Sequence, residues 1–202
     1  MSMDDGATNL DLDPAARRLA GLVTRVRDED LRKPTPCPAY TLGDLIEHVG
    51  GLALAFTAAA RKERGRLTEG APPGDAARLA DGWRERIARD LGTLAEAWRD
   101  PGAWDGMTRI AGMDAPAAMV GLTATDELVV HGWDVARATG QPYACEPELI
   151  AGARRFLEVF ASPGAPAGPD VPFGPSLAVP PGAPALDELV ALAGRDPGWS
   201  AS

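Results

Sequence analysis

The chain has 202 residues, a hydrophobic content of 45% and a formal net charge of −9, which suits one domain with a real core, or a domain plus an extension. The acidic balance argues against a nucleic-acid or anionic-membrane partner, because phosphate binding depends mainly on Lys and Arg. The N-terminal segment lacks the apolar core of a signal peptide, and the apolar run at residues 50–60 is shorter than the ~20 residues of a membrane span, so we expect a cytoplasmic protein.

The first two predicted helices have recognisable start signals. The first begins at Asp13-Pro14, an N-cap followed by proline at the first helical position. The second follows Thr41, which together with Asp44 three residues later resembles a capping box. The inward stripe of the second helix contains a histidine among apolar residues, in the order Leu45, His48, Leu52 and Ala55.

Two further long helices follow, separated by a glycine-rich connection. The third helix is predicted at about residues 75–99 and is amphipathic, with no obvious chemistry. The connection after it is expected to hold a short strand or hairpin around residues 104–110. The fourth helix is predicted at about residues 115–138 and closes at Gly140.

The C-terminal part of the sequence changes in composition. A fifth helix is predicted at about residues 147–160, and beyond residue 161 the chain is too rich in Pro and Gly for a helix, until a short terminal helix. Four long helices with modest connections predict an all-α chain built as an antiparallel four-helix bundle. We expect this bundle at residues 1–161 and a C-terminal extension packed on it at residues 162–202.

Both histidines of the chain fall on inward stripes, His48 on the second helix and His131 on the fourth. Glu127 lies one helical turn before His131 and shares its face. An ionised glutamate in an apolar core is unfavourable unless it is paired or bound to a metal. Two imidazoles and one carboxylate suit a divalent ion, zinc first and iron(II) or nickel as alternatives, with one position left for water or substrate. Cys37 and Cys145 match no metal spacing and are expected to be reduced thiols, Cys37 being a weak candidate for a fourth ligand.

Other polar and aromatic residues near these positions each allow two interpretations. Asp134 either accepts a hydrogen bond from an imidazole N–H or is a capping or solvated aspartate, and Asp44 has the same ambiguity. Trp104 and Trp133 either line a pocket or belong to the packing. Arg137 either binds a substrate carboxylate or faces solvent in the last helical turn.

Three segments of the chain resemble one family. CPAYTLGDLIEHVGG at residues 37–51 is similar to a segment with Cys-Pro, an aromatic residue, Thr and a helix bearing a metal-binding histidine. DELVVHGWDVARATG at residues 126–140 is similar to a Glu-x3-His-x-Trp-Asp segment, and residues 171–199 resemble the ending of an actinobacterial group of metal-binding proteins. On these segments the chain resembles the DinB-like superfamily, in the branch of the N-terminal domain of mycothiol-dependent maleylpyruvate isomerase.

The resemblance implies a four-helix bundle that binds a divalent metal, often zinc or nickel, through His48, Glu127 and His131. It also implies the use of mycothiol, a low-molecular-weight thiol, in a transferase or isomerase reaction on a small electrophile. The isomerase itself has a larger second domain after the bundle, where this chain has only residues 162–202. Isomerisation of maleylpyruvate is therefore not predicted. Tyr40 stands where the family commonly has Trp.

Two other hypotheses stay open at the level of sequence. One is a non-catalytic metal-binding protein whose ion stabilises the bundle or serves a contact with a partner. The other is a helical interaction module without metal, in which Glu127 and His131 form an ion pair. An open coordination position distinguishes an enzyme from a structural site, which is closed by a fourth protein ligand. A homodimer is compatible with this fold class, and nothing in the residues requires one.

Overall fold

A computed structural model describes residues 9–161 and 175–201, and most of these residues are helical. The helices are α1 Asp13–Val23, α2 Leu42–Ala60, α3 Trp83–Trp98, α4 Ala117–Thr139, α5 Pro147–Ala161 and α6 Ala185–Leu192. One antiparallel hairpin, β1 Met107–Ile110 and β2 Met113–Pro116, precedes α4. The predictions of a helical chain and of a hairpin in the glycine-rich connection are confirmed.

The first four helices share one apolar core. α1 packs against α3 and α4, α2 packs against the same two helices, α5 covers α4, and α6 contacts α5. The buried core includes Leu19, Leu45, Ile87, Leu91 and Val129. The antiparallel order of the helices and the boundary after residue 161 stay predictions. The Pro- and Gly-rich segment predicted beyond that residue lies outside the described residues as far as residue 174.

The helix start signals were correct for α2, whereas for α1 the position of the start was correct and the N-cap was wrong. Thr41 and Asp44 form the predicted capping box, in which Thr41 Oγ1 accepts from the Asp44 N–H at 3.3 Å and Asp44 Oδ2 accepts from the Thr41 N–H at 3.1 Å. In α1 the N-cap is Leu12 and Asp13 is already helical, without a side-chain cap. Asp13 instead forms a 2.8 Å ion pair with Arg17 one turn later, and its charge in the first turn complements the helix dipole.

The third helix is shorter than its amphipathic pattern predicts. Residues 76–78 form a separate 3₁₀ turn, and Gly82 precedes α3 with a φ of 73°. A left-handed residue cannot continue a right-handed helix, so α3 begins at Trp83. α4 ends at Gly140, as predicted, and the φ of that glycine is 69°.

Among the described residues, α2 is the one helix that is long and apolar enough to cross a membrane, with a mean hydropathy of 1.2. The apolar run at residues 50–60 is shorter than α2 itself, because this helix begins eight residues earlier, at Leu42. However, 78% of the apolar window is buried inside the protein. This burial accounts for the composition of α2 as a core helix.

Candidate metal centre

Helices α2 and α4 bring His48, Glu127 and His131 together. Each side chain offers one ligand atom, and these three atoms lie within 4.8 Å of one another. Glu127 Oε2 is 2.9 Å from His131 Nε2 and 4.0 Å from His48 Nε2. The two imidazole rings are nearly perpendicular, with centroids 5.3 Å apart, and both histidines are buried. The three residues selected from sequence therefore converge on one point.

The imidazole of His48 is held by a backbone group. Its Nδ1 lies 2.8 Å from the carbonyl oxygen of Pro72. Because a carbonyl only accepts, Nδ1 must carry the proton, and in the neutral ring Nε2 keeps its lone pair for another partner. A Cβ at Gly51 would lie 2.5 Å from Pro72 Cβ, and one at Gly74 would lie 2.8 Å from the carbonyl oxygen of Asp44. The two glycines thus let the connection between α2 and α3 lie close enough to place the Pro72 carbonyl.

The imidazole of His131 is held by a carboxylate on its own helix. Its Nδ1 lies 3.0 Å from Oδ2 of Asp134, whose side chain is fully buried. The interpretation of Asp134 as a hydrogen-bond acceptor for an imidazole is therefore confirmed. The same Oδ2 accepts a 3.2 Å hydrogen bond from Nη2 of Arg195, near the C-terminus. Sequence reasoning missed Arg195, because no local pattern links it to α4.

The three side chains have different charges in the metal-free protein. Burial lowers the pKa of His131, but hydrogen bonds to Asp134 and Glu127 outweigh it and raise that pKa to about 10. Burial lowers the pKa of His48, and the neighbouring His131 lowers it further. Burial raises the pKa of Glu127, but the hydrogen bond and charge of His131 bring it below its ordinary value. At neutral pH the cluster consists of an imidazolium–carboxylate pair beside a neutral imidazole.

Three other candidates from sequence do not belong to this cluster. Asp44 closes the capping box and also accepts from the N–H of Ala76 at 2.9 Å, which agrees with its capping interpretation. Cys37 is a partly buried free cysteine and is not among the grouped ligands. Trp104 belongs to the packing, because it is buried against Trp98 and donates its Nε1–H to the Trp98 carbonyl at 2.8 Å.

Arg137 has a role that neither interpretation anticipated. Its guanidinium lies over the ring of Trp133, 5.5 Å from the centroid, and Trp133 is buried. Nη2 of Arg137 donates to the backbone carbonyls of Pro197 and Trp199. The solvent-facing interpretation of Arg137 was therefore wrong, and its binding of a substrate carboxylate stays a prediction. The arginine holds the end of the chain against α4.

The protein thus belongs to the class of helical proteins with a candidate divalent-metal centre, because its helical core holds the His-Glu-His cluster between α2 and α4. Residues 12–136 match the family described as the mycothiol maleylpyruvate isomerase N-terminal domain. The match spans more than half of the chain, and the chain belongs to this family. The resemblance inferred from the sequence segments is confirmed.

Other proteins are similar to this chain in sequence or in fold. The chain is 31% identical over 177 residues to uncharacterised proteins from two strains of Mycobacterium tuberculosis, covering 87% of this chain and 91% of theirs. It is also similar to crystal structures of mycothiol-dependent maleylpyruvate isomerase. A mutant of that enzyme has a TM-score of 0.56 at 20% identity, and the enzyme itself has 0.54 at 18%. Each comparison covers 79% of this chain and 69% of the other, and the likeness shows a shared fold.

Proposed function

We propose that this chain is a cytoplasmic divalent-metal-binding protein that acts as a thiol-dependent transferase or isomerase on a small electrophile. His48, Glu127 and His131 are its proposed ligands, with zinc as the first expected ion and nickel or iron(II) as alternatives. Mycothiol is the proposed thiol, on the basis of family membership. The proposal includes an antiparallel four-helix bundle at residues 1–161 and an extension at residues 162–202.

The arrangement of the two imidazoles carries this proposal. Each Nδ1 already has an acceptor, the Pro72 carbonyl for His48 and the Asp134 carboxylate for His131. Such partners fix the orientation of a histidine ligand and leave its Nε2 for the ion. Here both Nε2 atoms lie within 4.0 Å of Glu127 Oε2. Two nitrogens and one oxygen, turned toward one point, are a donor set that fits a divalent transition metal.

The number of ligands favours an enzyme over a closed structural site. In the part of the chain that the structure describes, no fourth His, Cys or acidic side chain joins the three grouped ligands. Catalytic zinc sites have three protein ligands and an open position. A bound divalent ion lowers the pKa of a thiol or water that coordinates it and so supplies a nucleophile at neutral pH.

A second candidate function is supported by a different observation. Glu127 and His131 form a 2.9 Å ion pair with each other, and Asp134 links His131 to Arg195. This buried network connects α4 to the C-terminal part of the chain. It would also serve a non-catalytic protein in which the ion stabilises the fold or a contact with a partner.

Metal content tests the proposed site. We expect wild-type protein, purified without chelators or a histidine tag, to hold about one equivalent of a divalent ion by plasma mass spectrometry, as the three-ligand site implies. His48→Ala and His131→Ala should lose it. Glu47→Gln is a matched control, because it removes a carboxylate next to His48 that pairs with Arg78 and not with the cluster. A wild type that cannot be loaded with zinc, nickel or iron would refute the proposal.

Thiol binding separates the two candidate functions. Mycothiol added to the cobalt(II)-substituted protein should change the visible spectrum, because a thiolate in the open position alters the ligand field of the ion. The control is the same titration on His131→Ala mixed with cobalt. An unchanged spectrum at saturating thiol, with the ion bound, would favour the non-catalytic function.

A further inference from the structure

We propose that Arg195 is a positioning residue of the metal centre, acting from the C-terminal segment, residues 193–199, through Asp134 on the imidazole of His131. The inference rests on the proposed function, since it concerns the same three ligands. It makes the C-terminal segment a part of the site.

The backbone at the end of α6 directs Arg195 toward α4. The Gly194 N–H donates to the Ala191 carbonyl at 3.0 Å and the Arg195 N–H donates to the Val190 carbonyl at 2.8 Å. This pair of bonds around a left-handed glycine, with a φ of 79°, is the Schellman arrangement that ends a helix sharply. Arg195 therefore leaves α6 in a fixed direction. Its Nη1 is held by the Ala193 carbonyl at 2.7 Å.

The contact between Arg195 and Asp134 is deeply buried. Arg195 is only 6% exposed and Asp134 is 0% exposed. Removing Arg195 would leave His131 as the remaining partner of Asp134, and loss of one partner of a buried pair is strongly unfavourable. Arg195 and His131 therefore hold the Asp134 carboxyl group in this position together.

The geometry of the pair indicates that it serves His131. An arginine and a carboxylate that bind only each other commonly form two parallel hydrogen bonds. Here Arg195 Nε and Asp134 Oδ1 have no hydrogen-bond partner among the described residues. Both donors, His131 Nδ1 and Arg195 Nη2, meet instead on Asp134 Oδ2. The carboxylate is held between the histidine and the arginine, so a shift of Arg195 changes the orientation of the imidazole.

The C-terminal segment is attached to α4 at a second point. Arg137, three residues after Asp134, donates to the carbonyls of Pro197 and Trp199. The segment is thus fastened on both sides of Arg195, by the helix end before it and by Arg137 after it. A residue that orients a metal ligand must itself be held in place, because a loosely held arginine could not fix the position of the carboxylate.

The test measures zinc affinity by competition with a chromophoric chelator. Arg195→Met should weaken zinc binding about 10- to 100-fold, the range for loss of a partner that orients a ligand, and should shift the cobalt(II) spectrum. Arg195→Lys, which keeps a positive charge but not the guanidinium geometry, should lie between Met and wild type. Arg154→Met is the matched control: it removes another arginine bond to this part of the chain, the 2.7 Å bond to Glu188, and should bind zinc as the wild type does.

A double-mutant cycle distinguishes positioning from a general effect on folding. If Arg195 acts through Asp134, then Asp134→Asn and the double variant Asp134→Asn/Arg195→Met should bind zinc equally. If Arg195→Met lowered the zinc affinity of Asp134→Asn as much as it lowers that of the wild type, the inference would be overturned. Should Arg195→Met not fold, Arg195→Lys carries the same comparison. If the wild type binds zinc and Arg195→Met binds it with the same affinity, this inference alone is refuted. If the wild type binds no zinc, the proposed function is refuted and this inference with it.

Discussion

Gly51 lies so close to Pro72 that a Cβ on the glycine would be 2.5 Å from the proline Cβ. The proline ring is stiff and cannot turn away as a flexible side chain could. Its backbone would have to move, and the Pro72 carbonyl is the acceptor for His48 Nδ1. A glycine one turn after His48 therefore controls the group that orients this histidine.

Gly51→Ala is expected to weaken zinc binding about tenfold or more, because loss of a partner that orients a histidine ligand commonly has this effect. Within α2 the change is favourable, since alanine favours a helix interior by about 1 kcal/mol over glycine, and this offsets part of the cost of displacing Pro72. Zinc affinity and urea unfolding measure the two effects separately. Gly92→Ala is the control, because its added Cβ meets nothing within 4 Å. Zinc affinity equal to that of the wild type in Gly51→Ala would contradict the role of Pro72.

A second glycine is required for packing rather than for the site. A Cβ at Gly121 would lie 2.3 Å from the ring of Trp104, which is buried against Trp98. Gly121→Ala should therefore lower the free energy of unfolding by about 1–3 kcal/mol, as overpacking in a dense core does. Urea denaturation followed by tryptophan fluorescence measures it, with Gly92→Ala again as the control. A variant as stable as the wild type would mean that Trp104 has room to move.

The three candidate ligands could be selected from the sequence, whereas the groups that orient them could be predicted only in part. His48, Glu127 and His131 were found because helical periodicity places them on inward stripes, and Asp134 because it lies three residues from His131. The Pro72 carbonyl could not be predicted from the residue type, since every residue offers the same backbone acceptor. Its position depends on how closely the connection approaches α2, which only the packing determines.

Arg195 illustrates the same limit over a longer distance. It lies 61 residues after Asp134 in the sequence, and neither residue has a local pattern that requires the other. The fold was easier to predict, because amphipathic stripes, the capping box at Thr41 and the glycine at position 140 act locally. The wrong prediction of where α3 begins has a local cause too. The amphipathic pattern begins before Gly82, but the positive φ of Gly82 prevents the helix from beginning before Trp83.

Zinc binding should release about one proton per protein at pH 7. The pKa of His131 is raised to about 10, so the metal-free protein holds a proton there that the ion must displace. The pKa of His48 is lowered, so this neutral ligand releases none. Zinc affinity should then rise about tenfold per pH unit between pH 7 and 9. Calorimetry in two buffers of different ionisation enthalpy counts the protons, and a binding heat that does not depend on the buffer would contradict the charge state of His131.

The metal-free protein should lose stability as the pH rises, through the same residue. The pKa of His131 is about 10 in the folded protein and about 6.5 in an unfolded chain. A group with a raised folded pKa contributes stability that is fully present below its unfolded pKa and is lost as the pH rises through the folded value. The contribution of His131 should therefore be complete at about pH 6 and decline from about pH 6.5 to pH 10.

Urea unfolding in the presence of a chelator, at pH 6 and at pH 9, measures this decline. Other groups titrate over the same range, so the comparison is made with His131→Gln, which keeps a polar side chain on α4 but cannot be protonated. The difference in stability between wild type and variant should shrink from pH 6 to pH 9, because only the wild type loses the bonds of an imidazolium to Glu127 and Asp134. A difference that is constant with pH would mean that His131 is neutral in the metal-free protein, and the proton count on zinc binding would then have to be zero as well.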